Sequence, residues 1–193
     1  MKQLSISSRM QLRLLERRDT FELFTLLQEN REHLCKWFNW VEDLDTRLKV
    51  FYYLHGVKFL ERGMEGLQYG ILYNNKLIGV VAYNHLERFS NKAQLGYWIA
   101  NSYEGQGIAR EACEKLIDFG FKEMGLNRIE IQCSIDNKRS AKLAERLGFT
   151  KEAVLKESEF INRVYVDMVL YRLTHGEWRR SKKETMDNYS IKN

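Results

Sequence analysis

The chain has no proline and only three cysteines among its 193 residues. Without proline there is no proline-rich linker, and we expect one domain of ordinary size. Cys35, Cys113 and Cys133 are odd in number and lack CxxC spacing, which disfavours a disulfide framework or a zinc site. The longest apolar run, residues 78–83, is too short to span a bilayer. The first residues, MKQLSISSRMQLR, lack the apolar core of a signal peptide, so we expect a cytoplasmic protein with no membrane partner.

The net charge of +5 is concentrated near the C-terminus. Residues 179–193 carry five lysines and arginines against two acidic residues, so the rest of the chain holds only +2. No basic groove is evident there, and we do not expect direct nucleic-acid binding. A charged segment with few apolar residues is typical of a flexible terminus. We therefore predict a domain over residues 1–178 and a basic, flexible tail over residues 179–193.

The segment LGYWIANSYEGQGIAREA, residues 95–112, has the pattern of a strand, a glycine turn and a helix. Alternating apolar residues up to Ala100 are typical of a half-buried strand. Gly105 and Gly107 permit a tight turn, and an apolar stripe at helical spacing follows them. The first N–H groups of a helix have no partners within it, so together with Arg110 they would form an anion site. An ordinary turn explains the glycines equally well, because the loop matches neither a Walker motif nor a dinucleotide fingerprint.

A second strand and helix follow further along the chain. NRIEIQCSI, residues 127–135, alternates like a strand, and DNKRSAKLAERLGF, residues 136–149, has the spacing of a short helix. With GYWIA, EGQGIAREA and SEFINRVYVDMVLYRL, this combination resembles the GNAT superfamily of acyl-CoA N-acyltransferases. Within it, the sequence is similar to the RimJ/RimL branch, the ribosomal-protein N-terminal acetyltransferases. The resemblance covers about residues 10–178.

The patterns predict an α/β (α+β) fold with about seven strands. We place them at residues 10–16, 67–73, 76–87, 93–100, 127–135, 150–161 and 164–171. The first helix would begin at Asp19, which forms a capping-box pattern with Glu22. The resemblance implies the GNAT fold, a central mixed, mostly antiparallel twisted sheet flanked by helices. In that fold the strand ending at Ala100 and the strand ending at Ile135 splay apart and hold the arm of coenzyme A.

The resemblance implies an activity that the patterns alone do not. Acetyl-CoA would donate its acetyl group to a primary amine, with coenzyme A as the product and no metal. The implied acceptor is the N-terminal α-amine of a protein, in this branch a ribosomal one, which attacks directly in a ternary complex. Two alternatives stay open: a small-molecule acceptor such as a polyamine, antibiotic or amino acid, and a non-catalytic acyl-CoA-binding module. Both a monomer and a homodimer are compatible with the sequence.

The resemblance assigns cofactor contacts to the glycine loop, to the strand before it and to the second helix. Backbone groups of the strand would line the pantetheine, and those of the loop would bind the pyrophosphate. The expected cofactor-binding residues are Trp98, Ile99, Ala100, Gly105, Gln106, Gly107, Ile108, Ala109, Arg110, Asn137 and Ser140. The chain departs from the wider family at Ser102, where glutamine or arginine is usual, and this departure bears on cofactor affinity.

Two residues are candidates for proton transfer. The resemblance places Ser140 beside the leaving sulfur as a proton or hydrogen-bond donor, whereas a serine near a helix start is more often a cap or a surface residue. It places Glu159 as the base that deprotonates the amine through water, whereas a strand glutamate usually faces solvent. His85 is the second candidate base or a substrate contact. Cys133 alternates with isoleucines and is expected to be buried and inert.

Aromatic residues near the first helix are candidates for acceptor binding. Trp37 and Trp40 lie in the crowded segment NREHLCKWFNW. The resemblance makes them walls of the acceptor-peptide cleft, although aromatic clusters usually fill a core. A second helix would begin at Asp43 or Asp45 and end at Gly63. This helix would shield the acceptor site, and Leu48, Phe51, Tyr52, His55 and Phe59 form one stripe along it.

Overall fold

The computed structural model describes residues 3–190, with residues 185–190 described by their backbone alone. The strands are β1 (Gln3–Ser5), β2 (Met10–Leu14), β3 (Leu67–Tyr73), β4 (Lys76–Glu87), β5 (Lys92–Ile99), β6 (Arg128–Ser134), β7 (Thr150–Ile161) and β8 (Val164–Thr174). The helices are α1 (Thr20–Glu29), α2 (Arg31–Cys35), α3 (Trp40–Asp43), α4 (Arg47–Gly63), α5 (Ile108–Lys122), α6 (Lys138–Arg146) and α7 (His175–Ser190). None of these helices is long and apolar enough to cross a membrane.

The strands form one eight-stranded sheet in the order β1-β2-β3-β4-β5-β6-β8-β7. All neighbouring strands are antiparallel except β5 and β6, which are parallel. This mixed, mostly antiparallel sheet flanked by helices confirms the predicted fold class. The strand beyond the predicted seven is β1, which has only three residues and is too short to show an alternating pattern.

Helices cover both faces of the sheet, and each face has its own core. On one face α5 packs through residues such as Leu116. On the other face α1 and α4 pack through residues such as Leu27 and Leu54. Adjacent strand residues point to opposite faces, so Tyr97 packs on the α5 side while Trp98 belongs to the core under α1 and α4. Strand β5 therefore presents different side chains to the two sides of the molecule.

Helix α1 begins after Asp19, as predicted, but the predicted capping box with Glu22 does not form. Asp19 is 4% exposed, and its carboxylate accepts hydrogen bonds from the Arg13 guanidinium at 2.8 and 3.1 Å. Glu22 accepts a hydrogen bond from the backbone N–H of Leu77 at 2.7 Å. The predicted capping box is therefore wrong, because both carboxylates connect the helix to the sheet. Long-range partners compete successfully with the local cap.

The start of α4 also differs from the prediction. Thr46 is its N-cap, and the hydroxyl accepts a hydrogen bond from the N–H of Lys49 at 3.3 Å. The predicted caps Asp43 and Asp45 are wrong, since Asp43 belongs to α3 and Asp45 pairs with Lys49 at 2.9 Å. The helix ends at Gly63, as predicted.

The face of α4 that packs on the sheet is not the stripe noted in the sequence. Its buried residues are Val50, Leu54 and Val57. The stripe noted in the sequence is largely exposed, at 62% for Leu48, 63% for Tyr52 and 70% for Phe59. The helix therefore has two apolar stripes, and only one of them is covered by the fold.

The C-terminal segment is helical where a flexible tail was predicted from residue 179. Trp178 of α7 packs against Phe121, with 5.2 Å between ring centroids, and donates a hydrogen bond to Asp118 at 3.0 Å. Lys182 pairs with the same carboxylate at 3.0 Å. The helix continues to Ser190, and residues 191–193 of the predicted tail lie outside the described residues.

A small network joins the end of β8 to the first turn of α7. Arg172 pairs with the carboxylate of Glu177, which also accepts hydrogen bonds from the N–H and the hydroxyl of Thr174 at 2.9 and 2.7 Å. The hydrogen bond from Arg172, with those from Thr174, lowers the pKa of Glu177 from an ordinary 4.5 to about 2. The charged form of Glu177 is therefore favoured by folding.

We expect Glu177→Gln to destabilise the protein in a pH-dependent way. A carboxylate whose pKa is lower in the folded state stabilises the fold above its unfolded pKa, and this contribution is lost as the pH falls from about 4.5 towards 2. The variant should therefore lower Tm by about 3 °C near neutral pH and by much less near pH 3. Thermal melts across this range measure it, with Glu29→Gln as the control because Glu29 has no ion pair among the described residues. A loss of Tm that is equal at every pH would contradict the prediction.

Candidate active site

The parallel strands β5 and β6 separate along their length. They pair only at Lys92 with Arg128, Ala93 with Ile129, and Gln94 with Glu130. Beyond these three pairs β6 continues along β8, and no strand in residues 3–190 pairs with β5 on that side. The predicted splay is therefore present, and it leaves the backbone of Trp98 and Ile99 open towards the gap.

The opposite edge of β5 is held tightly. A Cβ atom at Gly79 of β4 would lie 2.4 Å from the carbonyl oxygen of Trp98, so only glycine permits this approach. The N–H of Ala100 donates to the carbonyl of Ile78 at 2.8 Å. The strand that borders the gap is thus fixed from one side by β4.

The glycine loop connects this strand to α5. Gly105 and Gly107 have φ values of +76° and +81°, in the left-handed region that glycine adopts without strain. A Cβ atom at either position would meet nothing within 4 Å, so open space lies above the loop. No side chain caps α5, so its first N–H groups have no partner within the helix and none from a capping side chain. Gln106 donates to the carbonyl of Ser102 at 3.1 Å and so closes the loop on itself.

The first turn of α5 contributes to this anion site through its backbone. Ile108 is 5% exposed, and Ala109 packs against the same core, so their side chains point away from the open space. The Arg110 guanidinium pairs with Glu114 one turn further along at 2.8 Å, and its contact with an anion stays a prediction. The charge of Arg110 is therefore partly balanced in this structure.

A pair of hydroxyl groups bridges the gap between β5 and the helix that follows β6. The hydroxyl of Ser140 lies 2.7 Å from that of Tyr97. Asn137 is the N-cap of α6 and accepts a hydrogen bond from the N–H of Ser140 at 3.0 Å. The alternative of a capping role for Ser140 is therefore wrong, and its side chain faces the splay. Asn137 fixes the backbone of the first turn of α6, from which the Ser140 side chain projects.

Burial sets the protonation of the groups around this contact. It raises the pKa of Tyr97, so the phenol stays neutral and can donate a hydrogen bond. Burial also raises the pKa of Cys133, whose thiol contacts Ser140. Cys133 is 6% exposed, which confirms the expectation that it is buried. A neutral phenol and a neutral thiol therefore flank the Ser140 hydroxyl.

The aromatic segment of residues 37–40 follows α2 and includes the first residue of α3. Phe38 and Trp40 pack on the face of the sheet that α1 and α4 cover. Trp40 stacks on Tyr53 of α4, with 5.9 Å between centroids, and packs against the core. Trp37 is half-buried and belongs to neither core cluster. The role of Trp37 as a wall of the acceptor cleft therefore stays a prediction, whereas Trp40 packs on the core, which was the alternative given for it.

The segment contacts the tip of the β7–β8 hairpin. Asn39 donates to the carbonyl of Phe160 and accepts from the N–H of Asn162 at 3.3 Å. A cavity of about 380 Å³ lies at this junction, lined by Asn39, Glu42, Phe160, Asn162 and Arg163. The hairpin tip and the aromatic segment therefore contact each other and together border this cavity.

The sequence matches the acetyltransferase (GNAT) domain family over residues 9–150. The chain belongs to the GNAT acetyltransferases. This GNAT chain is 32% identical over 180 residues to the putative ribosomal N-acetyltransferase YdaF of Bacillus subtilis (strain 168), covering 92% of this chain and 97% of that protein. It is 30% identical over 168 residues to the ribosomal-protein-serine acetyltransferase of Escherichia coli (strain K12), covering 87% and 94%.

A solved structure of RimL, a ribosomal α-N-protein acetyltransferase in complex with coenzyme A, has a TM-score of 0.87 to this GNAT chain. The two are 26% identical, and the match covers 89% of this chain and 97% of that one. These similarities confirm the resemblance to the RimJ/RimL branch, and the protein is an N-acetyltransferase.

The two candidate bases of this GNAT acetyltransferase lie in different places. Glu159 is exposed on β7 one residue before Phe160, at the hairpin tip. His85 is exposed near the end of β4, whereas it is Val80 that pairs with Trp98. His85 is five residues, or about 17 Å, further along the strand than Val80. Because β4 and β5 are antiparallel, this direction leads away from the end of β5 that enters the glycine loop. The structure therefore places His85 at the far end of β4 from the glycine loop, beside a separate cavity of about 490 Å³.

Sequence reasoning missed a charged cluster at the glycine loop. The carboxylate of Glu104 contacts the imidazole of His33 at 3.0 Å and also pairs with Arg139 of α6. His33 is 71 residues from Glu104 in the chain, so no local pattern could predict this contact. The cluster neutralises a carboxylate beside the anion site and connects α2, the loop and α6.

Proposed function

We propose that this GNAT chain acetylates the N-terminal α-amine of a ribosomal protein, with acetyl-CoA as the donor. The observation that carries the proposal is the splay between β5 and β6, which leads from an uncapped helix start to the Ser140 hydroxyl. The acceptor class is supported by the similarity, over nearly the whole chain, to proteins named as ribosomal-protein acetyltransferases.

The residues at the splay fit a pyrophosphate with a long polar arm. The N–H groups of residues 105–110 would bind the diphosphate, since they lack helical partners and the helix dipole favours an anion there. The backbone of Trp98, Ile99 and Ala100 would line the arm. When bound, acetyl-CoA supplies a thioester carbonyl as the electrophile.

The chain's own residues supply orientation and proton transfer. The hydroxyl of Ser140 can donate to a leaving sulfur, because Tyr97 holds it at the gap while Asn137 caps the helix turn that carries it. The half-buried Trp37 and the hairpin tip border the acceptor side. Glu159 stands at that border as the base that would accept a proton from the acceptor ammonium, directly or through water.

Replacing Glu159 with glutamine should slow turnover without weakening cofactor binding. We expect kcat/KM to fall by about a hundredfold, because a positioned base contributes on that scale. Its increase with pH should also flatten, and the Kd of acetyl-CoA should stay the same. Glu157→Gln is the matched control, since Glu157 is exposed on the same strand two residues earlier. Normal turnover of the Glu159 variant would assign deprotonation to solvent.

The proposal is tested by measuring thiol release from acetyl-CoA across a panel of amines. The panel contains ribosomal-protein N-terminal peptides, the same peptides with a blocked α-amine, polyamines, aminoglycosides and free amino acids, with products identified by mass. We expect acetylation of unblocked peptides only. Transfer to a small amine alone would overturn the proposed acceptor. Acetyl-CoA binding without transfer to any ribosomal-protein peptide would also contradict the proposal, and would favour a binding module.

A further inference from the structure

Strand β7 is irregular just before Glu159. Leu155 pairs with Met168 of β8. Four residues later, Glu159 pairs with Val166. The three residues of β7 between these pairs therefore lie opposite a single residue of β8, Asp167. Such an excess of residues on one strand is a β-bulge, and bulges at sheet edges and beside functional sites change where the following side chains lie.

The register is fixed on both sides of this bulge. On one side β8 also pairs with β6, and Met168 lies opposite Ser134. On the other side the hairpin closes through Asn162 and Arg163, whose φ values of +51° and +65° are those that a type I′ turn requires. A two-residue turn of this type sets the pairing of the strands that it joins. The two extra residues of β7 are therefore held within the bulge.

The side chain of Asp167 supplies the acceptors that the bulge needs. Its carboxylate accepts a hydrogen bond from the ammonium of Lys156 at 2.7 Å and one from the backbone N–H of Glu157 at 3.0 Å. These two donors hold the pKa of Asp167 below its ordinary value, so the carboxylate is charged. Glu157 has a φ of +49°, which is unfavourable for a residue with a Cβ atom. The hydrogen bond to Asp167 therefore stabilises a strained backbone.

The bond to the backbone is the more important of the two contacts. The side chain of Lys156 is 79% exposed, and an ion pair that is so accessible to solvent contributes little to stability. The N–H of Glu157, in contrast, belongs to the strained residue itself, so its bond with Asp167 fixes the path of the chain. The carboxylate of Glu157 takes no part in this bond.

The backbone of Asp167 contacts the other side of the candidate site. Its carbonyl accepts a hydrogen bond from the N–H of Ile135 at 3.0 Å. Ile135 follows β6 and lies two residues before Asn137, the N-cap of α6. Asp167 is thus joined through its carbonyl to the segment that leads to Ser140, and through its carboxylate to the strand that carries Glu159.

We propose that Asp167 is a positioning residue for acetyl transfer, because it fixes the bulge of β7 and with it the place of Glu159 relative to Ser140. Two residues of an extended strand span about 7 Å, so the conformation of the bulge decides the location of Glu159 on that scale. A misplacement of about 1 Å can already slow a reaction considerably. The inference rests on the proposed role of Glu159 and adds the group that holds this carboxylate in place.

Acetyl transfer to the acceptor found with the amine panel tests this role. Asp167→Ala should lower kcat at saturating acceptor by about tenfold or more and leave the Kd of acetyl-CoA unchanged. Asp167→Asn should restore most of the rate, because its amide oxygen can still accept from the N–H of Glu157. Lys156→Met is the control and should keep the wild-type kcat, since the ion pair is exposed. A wild-type kcat for Asp167→Ala, or an asparagine variant as slow as the alanine variant, would overturn the proposal.

A double variant separates this inference from the proposed role of Glu159. If Asp167 acts through Glu159, Asp167→Ala should cause no further loss of kcat in a Glu159→Gln background. A fully additive loss would overturn the inference and leave Glu159 as the base. Wild-type turnover of Glu159→Gln alone would overturn both.

Hydrogen exchange, followed by NMR, tests the structural basis without any acceptor. The amide of Glu157 should exchange about tenfold faster in Asp167→Ala than in the wild type, while the amides of Val169 and Leu170 stay protected. That pattern would show a bulge that is released within a folded hairpin. Unchanged exchange at Glu157 would overturn the proposal, and so would a loss of protection along the whole of β8, because Asp167 would then support the hairpin in general.

Discussion

Valine in place of Gly107 should weaken acetyl-CoA binding by about tenfold or more, as measured by calorimetric titration. Gly107 has a φ of +81°, where a side chain with a Cβ costs about 1–2 kcal/mol and a β-branched one costs more. The loop would relieve this strain by rotating away from the left-handed region. That rotation turns the N–H groups at the start of α5 away from the space where the pyrophosphate is expected.

The control for this variant has the same backbone geometry at another place. Gly125 has a φ of +68°, and a Cβ atom there would also meet nothing within 4 Å, but it lies in the turn after α5. Gly125→Val should therefore lower Tm to a similar extent and leave the Kd of acetyl-CoA unchanged. If both variants weaken binding equally, the effect comes from general destabilisation. If neither does, the loop is not part of the cofactor site.

Features with a local cause were predictable from the sequence. The alternation in β5 and the glycines after it indicate a strand, a turn and a helix start, because each signal lies within a few residues. The splay and the proposed role of Ser140 came from the resemblance to a family. Composition and periodicity would not have separated Ser140 from an ordinary surface serine.

Features that depend on distant partners were not predictable. The capping box at Asp19 was wrong because Arg13 and the backbone of β4 hold the two carboxylates. The orientation of α4 could not be predicted because the helix carries two apolar stripes, and periodicity does not tell which one meets the sheet. The cluster of Glu104, His33 and Arg139 joins three elements that only the fold brings together.

Alanine in place of Ser140 should lower kcat by about a hundredfold if its hydroxyl donates to the leaving sulfur. The Kd of acetyl-CoA should change little, because the backbone of the glycine loop supplies most of the anion contacts. The loss should shrink with a donor thioester whose thiol is more acidic, since such a leaving group needs less protonation. Single-turnover measurements with the two donors separate this effect from product release. An equal loss with both donors would contradict the role in protonation.

Phenylalanine in place of Tyr97 should lower kcat by less, by about tenfold, and only while Ser140 is present. The two hydroxyls are 2.7 Å apart although 43 residues separate them in the chain, and the phenol is neutral because burial raises its pKa. Tyr97 can therefore position Ser140 without touching the reacting atoms. If this is its role, the double variant should be no slower than Ser140→Ala alone. A fully additive loss would mean that Tyr97 acts independently of Ser140, whereas an unchanged kcat for Tyr97→Phe would reduce the contact to packing.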